Sequence, residues 1–460
     1  VIAKPAFLNA PFSAARIALP VAVAAFGFSI ALYVAVTNYP VGLLAAFGIA
    51  LAPAMIAAAW KYPLIFPYGA YAILVPFDLL LSVPQLGTLA RLSGAAAGAA
   101  LLFWLLRNRT IVMPGAAMAA CAAFVGWSLF SQLWSLNPPA AAHECGTLLQ
   151  LALLYAIVAI VPATMRDVRA VFIAVVAGGL LAAAFGIHEF AHPTIKQQLL
   201  TEISDRIPLV LGEQRLDINQ FADSLLLPLA LVLVATVQAT RLSLRIAGFA
   251  AIVVLVYAMS LAASREAFVA VGAMLAYFVI SLKERRQIGL IAAALASLAL
   301  ANHNLWNRFV SASASGGSGR LGIWSAGLAA FRQHWLIGAG SGSFATAYDS
   351  VYLKVFQLYD MGWSRAAHNM LLQNGVEYGI VGLALLVAVV VFTWRSVSLT
   401  DRSTPLFGMA VAMRGAILAL CIAGLFVDLT TTKVFWLALM LAALLRSCFA
   451  TAQAAEPVLP

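Results

Sequence analysis

Charge is scarce in this chain. Asp, Glu, Lys and Arg together make up 10% of its 460 residues, against roughly 25% in a soluble globular domain. With 63% hydrophobic residues and a mean hydropathy of +0.97, the chain is expected to be an all-α polytopic membrane protein. Cysteine is scarce too: the four, at positions 121, 145, 421 and 448, stand in no C-x-x-C or metal-ligand spacing. Neither a disulfide framework nor a zinc site is implied. The sequence also lacks D-x-D, Walker A and G-x-S-x-G motifs, and no soluble stretch is large enough to bind a nucleotide. Sugar-nucleotide and ATP-driven chemistry are therefore disfavoured, and no cofactor is expected. Acidic residues outside the apolar runs read as scattered rather than paired. That leaves metal-assisted chemistry and two-carboxylate glycoside hydrolysis without candidates.

Long apolar runs are what the chain has in abundance. A spanning helix needs about 20 largely apolar residues, and runs near that length recur about fourteen times between 17–36 and 431–447. The first run follows Lys4 and Arg16, is too long for a signal peptide and is closed by no small-residue cleavage pattern, so it reads as a span. A start without Met reads as a trimmed one. The connections alternate in character. One set carries Lys61, Arg107, Arg109, Arg166, Arg169, Arg241, Arg245, Lys283, Arg285, Arg286, Arg395, Arg402 and Arg446. The positive-inside rule puts these, and both termini, on the cytoplasmic side of a bacterial inner membrane. The net charge of +10 is thus accounted for without a nucleic-acid partner.

The opposite, periplasmic side receives 137–144, 192–220, the Ala263-Ser264-Arg265 turn and a long segment over 302–377. The expected division is a bundle over 1–301, a periplasmic loop region over 302–377 and C-terminal spans over 378–460. Structureless loops beyond about 12–15 residues are uncommon without a function. This one also carries internal order, because Ile323, Trp324, Leu328, Phe331 and Trp335 recur at near-helical spacing. A flexible "SASASGGSG" precedes that helix and a glycine-rich "GAGSGS" at 338–343 follows it. Arg308, Arg320, Arg332, Lys354 and Arg365 outweigh Asp349 and Asp360 before Glu377 is reached. A positive excess on this side points to an anionic ligand.

Several residues there invite chemistry. His368, beside Asn369, reads either as an interfacial histidine at a helix start or as a base able to take a proton near neutral pH. His188 and His192 have a metal-compatible spacing on one helix face but lack the H-E-x-x-H order, and they read as interfacial. His143, His303 and His334 have no comparable partners. Arg265 sits at a membrane boundary, where it must snorkel or pair, and Glu266 offers a local partner. Arg215 lies in "GEQRLDINQFADSL" with Glu213 and Asp217 as alternative partners. Arginine suits a diphosphate because its planar fork donates paired hydrogen bonds and keeps its charge at any working pH.

Two stretches, "GRLGIWSAGLAAFRQHWLIGAGSGSFATAY" at 319–348 and "AHNMLLQNGVEYGIVGLALL" at 367–386, resemble the O-antigen ligase and polymerase superfamily. The residues carrying the likeness are Arg320, Trp324, Gly338, Gly340, Phe344, His368, Asn369, Glu377, Gly379 and Gly382. "LAASREAFVA" at 261–270 and "QRLDINQFADSL" at 214–225 are similar to the family's serine-arginine turn and earlier arginine element. Where the family pattern has proline before the glycine-rich turn, this chain has Trp335.

The resemblance implies a multi-span glycosyltransferase bundle of roughly twelve to fourteen transmembrane helices with a long, partly helical periplasmic loop. It implies an O-antigen ligase that transfers polysaccharide from undecaprenyl diphosphate to a sugar hydroxyl of lipid A-core, inverting and without metal. Membrane lipids surround it. His368 would be the catalytic base and Arg215 and Arg265 would bind the donor diphosphate, with Arg320 and Asn369 as secondary candidates. An O-antigen polymerase or a protein O-oligosaccharyltransferase of the same superfamily is the alternative. A secondary transporter is the alternative from another class, and no repeat symmetry favours it.

Overall fold

A computed structural model describes residues 51, 54–78, 80–83, 87–193, 209–211, 214–301, 310, 320–355, 362–397 and 404–455. The expected span 17–36, most of the expected span 41–59, His303, Arg308 and Arg402 lie outside the described residues.

The protein is an all-α polytopic membrane protein. Among the described residues, nine helices are long and apolar enough to cross a membrane. In chain order the helices are α1 (Tyr68–Leu74), α2 (Leu89–Asn108), α3 (Ala116–Ser131), α4 (Pro138–Ile160), α5 (Met165–Ala191), α6 (Ile218–Ser224), α7 (Leu226–Gln238) and α8 (Leu242–Ala262). They continue as α9 (Arg265–Ser281), α10 (Arg285–Ala301), α11 (Arg320–Gln333), α12 (Phe344–Val355), α13 (Met370–Ser396), α14 (Pro405–Ala423) and α15 (Lys433–Ala455). Two short antiparallel hairpins interrupt them: Ser82–Val83 (β1) with Gly87–Thr88 (β2), and Leu209–Leu211 (β3) with Gln214–Leu216 (β4).

The run at 64–83, expected as one span, is instead the short α1, a 3-10 turn over Val75–Phe77 and the first hairpin strand. Asp78 ends that unit and is anchored, accepting from Thr88 Oγ1 at 2.6 Å and pairing with Lys433 Nζ at 2.5 Å. The most buried spans are α6–α7, α14 and α15. Spans with large apolar residues outward, such as Leu106 (69% exposed) and Ile173 (69%), form the lipid-facing rim. In water such surface would be costly, whereas hydrocarbon accepts it.

Residues 320–355 build a second, smaller core. Ile323, Ala326 and Ala330 of α11 meet Phe344, Ala347, Tyr348 and Val351 of α12, with Ala367 and Val376 closing it. The expected helix over 323–335 is therefore present as α11.

The glycine-rich turn and α13 interlock by backbone. Gly379 (φ 66°, ψ −168°) breaks α13, which would leave polar groups unsatisfied in an apolar setting. The turn supplies the replacements: Ala339 N donates to Val376 O and Gly340 N to Glu377 O, both at 2.8 Å. Ile380 N donates to Trp335 O at 2.8 Å, and the Trp127 indole donates to Tyr378 O at 3.0 Å. The two motifs separated in sequence are halves of one joint.

Candidate functional site

His368 lies where the loop turns into α13, and its backbone is in the left-handed region at φ 47°. A non-glycine residue adopts that conformation only where its surroundings impose it. The imposing contacts are on both flanks. Ala367 is buried, its carbonyl accepts from the Trp324 indole at 3.0 Å, and its N–H donates to Gln373 Oε1 at 3.4 Å. On the other side Met370 N donates to Gly424 O at 2.7 Å, at the end of α14. Asn369 Oδ1 accepts from Leu372 N at 2.9 Å, so it is Asn369 that caps the helix. His368 stands just outside the cap, half-buried and aimed by its neighbours.

Arg265 is positioned by a similar device. Ala263, at φ 48°, ends α8 in the left-handed conformation, buried Ser264 is the N-cap residue and Arg265 opens α9. Arg320 opens α11, and its Nη2 lies 3.7 Å from Glu266 Oε1. Glu266 thus pairs with the loop arginine. The Arg320 guanidinium also lies over the Phe426 ring at 5.9 Å.

Electrostatics tie these elements together. Burial pulls His368 below its ordinary value, the Arg320 and Arg365 guanidinium groups add to that, and Asp217 and Glu266 oppose it. Burial and then the Arg320 charge pull Arg265 down, with Glu266 opposing. Arg320, expected only as a secondary candidate, is the common neighbour of His368 and Arg265. Helices α9 and α11 begin at the two arginines, so their N-terminal dipoles add to the positive field.

Arg215 pairs with Val210 in the β3–β4 register, but its side chain lies outside the described part of the structure. Asp217, the residue that caps α6, follows in the chain, and its charge acts on His368.

A cavity of about 1440 Å³ adjoins this cluster. Its wall includes Ser364, Arg365 and Ala366 of the loop leading to His368, and Gln220 and Ser224 of α6. Helices α2 and α4 line it too, with Leu92, Leu102, Leu151, Leu153 and Ile157 alongside the polar Arg91, His143, Glu144 and Gln150, and Leu102 (46% exposed) and Leu153 (56%) are also open to the surroundings. A cavity lined by both leucines and polar side chains suits an amphipathic ligand such as a lipid with a polar headgroup.

One expectation is corrected here. The acids read as scattered in the sequence come together in space. Glu144 of α4 and Glu377 of α13 meet carboxyl to carboxyl on the cavity wall. Asp223 and Glu266 form a second buried acidic pair beside Arg320, and neither Asp223 oxygen has a hydrogen-bond partner. No sequence spacing could have signalled either pair, because the partners lie on different helices. The His188 and His192 rings lie 5.1 Å apart, and among the described residues no group of three His, Cys, Asp or Glu side chains is arranged to hold a metal.

No curated protein matches the chain. Residues 250–387, which carry Arg265, Glu266, Arg320, His368, Asn369 and Glu377, match the family model described as O-antigen ligase.

Proposed function

We propose that the protein is an O-antigen ligase. It transfers an assembled polysaccharide from undecaprenyl diphosphate to a sugar hydroxyl of lipid A-core at the periplasmic face of a bacterial inner membrane. The observation that carries this reading is His368, held in a left-handed backbone beside Arg320 and the loop wall of a lipid-accessible cavity. The basic ends of the helices, Arg107, Arg166, Arg241 and Arg395 among them, lie at the opposite ends from His368 in the alternating helix order. The positive-inside rule makes His368's side periplasmic.

The chemistry follows from the charges. The donor is already activated, because a lipid diphosphate is a good leaving group. The reaction needs a base for the acceptor hydroxyl and cations for the departing charge. His368, with its proton affinity lowered, is neutral at physiological pH and its imidazole nitrogen can accept the hydroxyl proton. The acceptor oxygen forms a bond to the anomeric carbon as the bond from that carbon to the phosphate oxygen breaks. The electron pair leaves with undecaprenyl diphosphate, whose negative charge is met by Arg265, Arg320 and Arg215. A single displacement of this kind inverts the anomeric configuration and calls for no metal. Asn369 acts as a positioning residue, fixing the helix start against which His368 is aimed.

Reconstitution of the purified protein in nanodiscs with a carrier-linked glycan tests the proposal. Lipid A-core is supplied as acceptor in one arm and a second carrier-linked repeat unit in the other. Transfer to lipid A-core is expected. Transfer only to the repeat unit would make the protein a polymerase, and solute flux without transfer would make it a transporter.

A further inference from the structure

A second groove, of about 900 Å³, lies at the end of the bundle away from His368 and has no part in the transfer chemistry. Thr88 and Arg91, where α2 begins, line the large cavity, whereas Trp104, Arg107 and Asn108, where α2 ends, line this groove. From Arg91 to Arg107 the helix rises about 24 Å at 1.5 Å per residue, most of the thickness of a hydrocarbon core. The groove therefore opens near the other membrane face, which is the cytoplasmic one in the topology proposed above. Its second wall is the helical stretch 54–61, which supplies Ile56, Trp60 and Lys61.

The two walls bring unlike chemistries together. Ile56, Trp60 and Phe103 are large, apolar and exposed, and the Trp60 and Phe103 rings lie 4.9 Å apart, so 54–61 and α2 present one aromatic surface. Arg107 Cζ sits 5.0 Å from the centre of the Trp60 ring. This contact holds the guanidinium at the groove by its face and leaves its in-plane N–H groups to an anion. Lys61 Nζ and Arg166 Cζ lie 5.3 Å and 5.0 Å from the centre of the Tyr62 ring, which brings a third cation beside Lys61. Among the described residues, neither Lys61 nor Arg107 is paired with a carboxylate.

The occupant has to match both features. A soluble anion would satisfy the cations and leave the aromatic wall bare, and an uncharged lipid would do the reverse. An anionic phospholipid satisfies both, and basic pockets between helices at the cytoplasmic face suit such headgroups. We propose that this groove binds one anionic phospholipid, with its phosphate held by Lys61 and Arg107 and its acyl chain laid against Ile56, Trp60 and Trp104. A phosphate gripped from both walls ties residues 54–61 to the end of α2, so occupancy stabilises the bundle.

The test titrates the full-length protein in detergent with phosphatidylglycerol or phosphatidylcholine, reading bound lipid by native mass spectrometry and recording the melting temperature. Wild type should bind phosphatidylglycerol more tightly than phosphatidylcholine, and only the former should raise its melting temperature. Lys61→Gln/Arg107→Gln should bind phosphatidylglycerol about thirtyfold more weakly, from roughly fivefold per cation, with phosphatidylcholine unchanged. Arg241→Gln, at the same end of the bundle and outside the groove, should bind as wild type does. Both substituted side chains of the pair are exposed. Should the pair nevertheless melt lower without lipid, Arg107→Gln alone decides, with a loss of about fivefold expected. Equal phosphatidylglycerol affinity in wild type and variant, an equal loss in Arg241→Gln, or no preference over phosphatidylcholine in wild type would overturn the site. Glycerol phosphate binding as tightly as the lipid would make the groove a soluble-anion site and sink the lipid assignment. None of these readouts involves glycan transfer, so the site and the transfer function fail independently.

Discussion

Arg320 Nη2 lies 3.7 Å from Glu266 Oε1, so the first turn of the loop helix α11 is joined to the first turn of α9. The same guanidinium pushes down the proton affinity of His368. Replacing Arg320 by Gln removes a cation that disfavours the imidazolium, so His368 takes up its proton at a higher pH. In the proposed mechanism, transfer requires the neutral imidazole. The acidic limb of the kcat/KM profile, expected below the ordinary histidine value of about 6.5 in the wild type, should therefore move upward in the variant. A limb that stays in place would show that Arg320 does not act on His368.

His368 itself separates catalysis from stability. Its left-handed backbone costs a side-chain-bearing residue about 1–2 kcal/mol, and glycine escapes that cost. His368→Gly should keep or raise the melting temperature while transfer falls on the order of a hundred- to ten-thousandfold, the usual contribution of a general base. Normal O-antigen attachment in cells carrying this variant would remove the role assigned to His368.

Asn369 reads out positioning. Asn369→Ala removes the side-chain cap on Leu372 N and should cost about 1 kcal/mol of stability. Transfer should fall as well, because the cap fixes the turn on which His368 is displayed. Asn369→Ser keeps an oxygen at the cap and should restore both quantities. Activity lost in Asn369→Ala and not recovered with serine would point to direct substrate contact by the amide.

The joint between the glycine-rich turn and α13 should tolerate nothing larger than hydrogen at Gly340. Its φ is 91°, and a Cβ there would collide with the Ser135 backbone. Gly340→Ala should lower the melting temperature sharply and reduce monodisperse protein after detergent extraction. Gly126 is a useful control, since a Cβ there meets nothing within 4 Å. Gly126→Ala should be neutral or stabilising by about 0.5–1 kcal/mol, as expected for a helix interior.

Chelation provides a simple check on the cation chemistry. If, as proposed, arginines meet the leaving charge and a histidine takes the proton, EDTA should leave the transfer rate unchanged. Strong inhibition reversed by a divalent ion would require a metal in the mechanism.

Much of this was legible in one dimension. Apolar runs locate the spans because a helix crossing hydrocarbon must satisfy its backbone internally and clothe itself in apolar side chains. Helical spacing over Ile323, Trp324, Leu328 and Phe331 locates α11. Motif order singled out His368, Arg215 and Arg265, with Arg320 only as a secondary candidate, and spacing along the chain carried no information on which of them meet in space. The weight of Arg320 comes from standing between Glu266 and His368, and α11 sets that position.

The sequence alone determined that the protein is a helical membrane bundle with a basic loop ending in a histidine, because hydropathy and charge act residue by residue. Tertiary structure decided which polar groups meet. Tyr378 and Glu144 are 234 positions apart, yet they share a hydrogen bond of 2.7 Å. The break at Gly379 exposes backbone groups that the 335–340 turn and the Trp127 indole satisfy. Both features arise from the need to partner polar groups inside an apolar bundle, a demand met between helices and therefore invisible along any one of them.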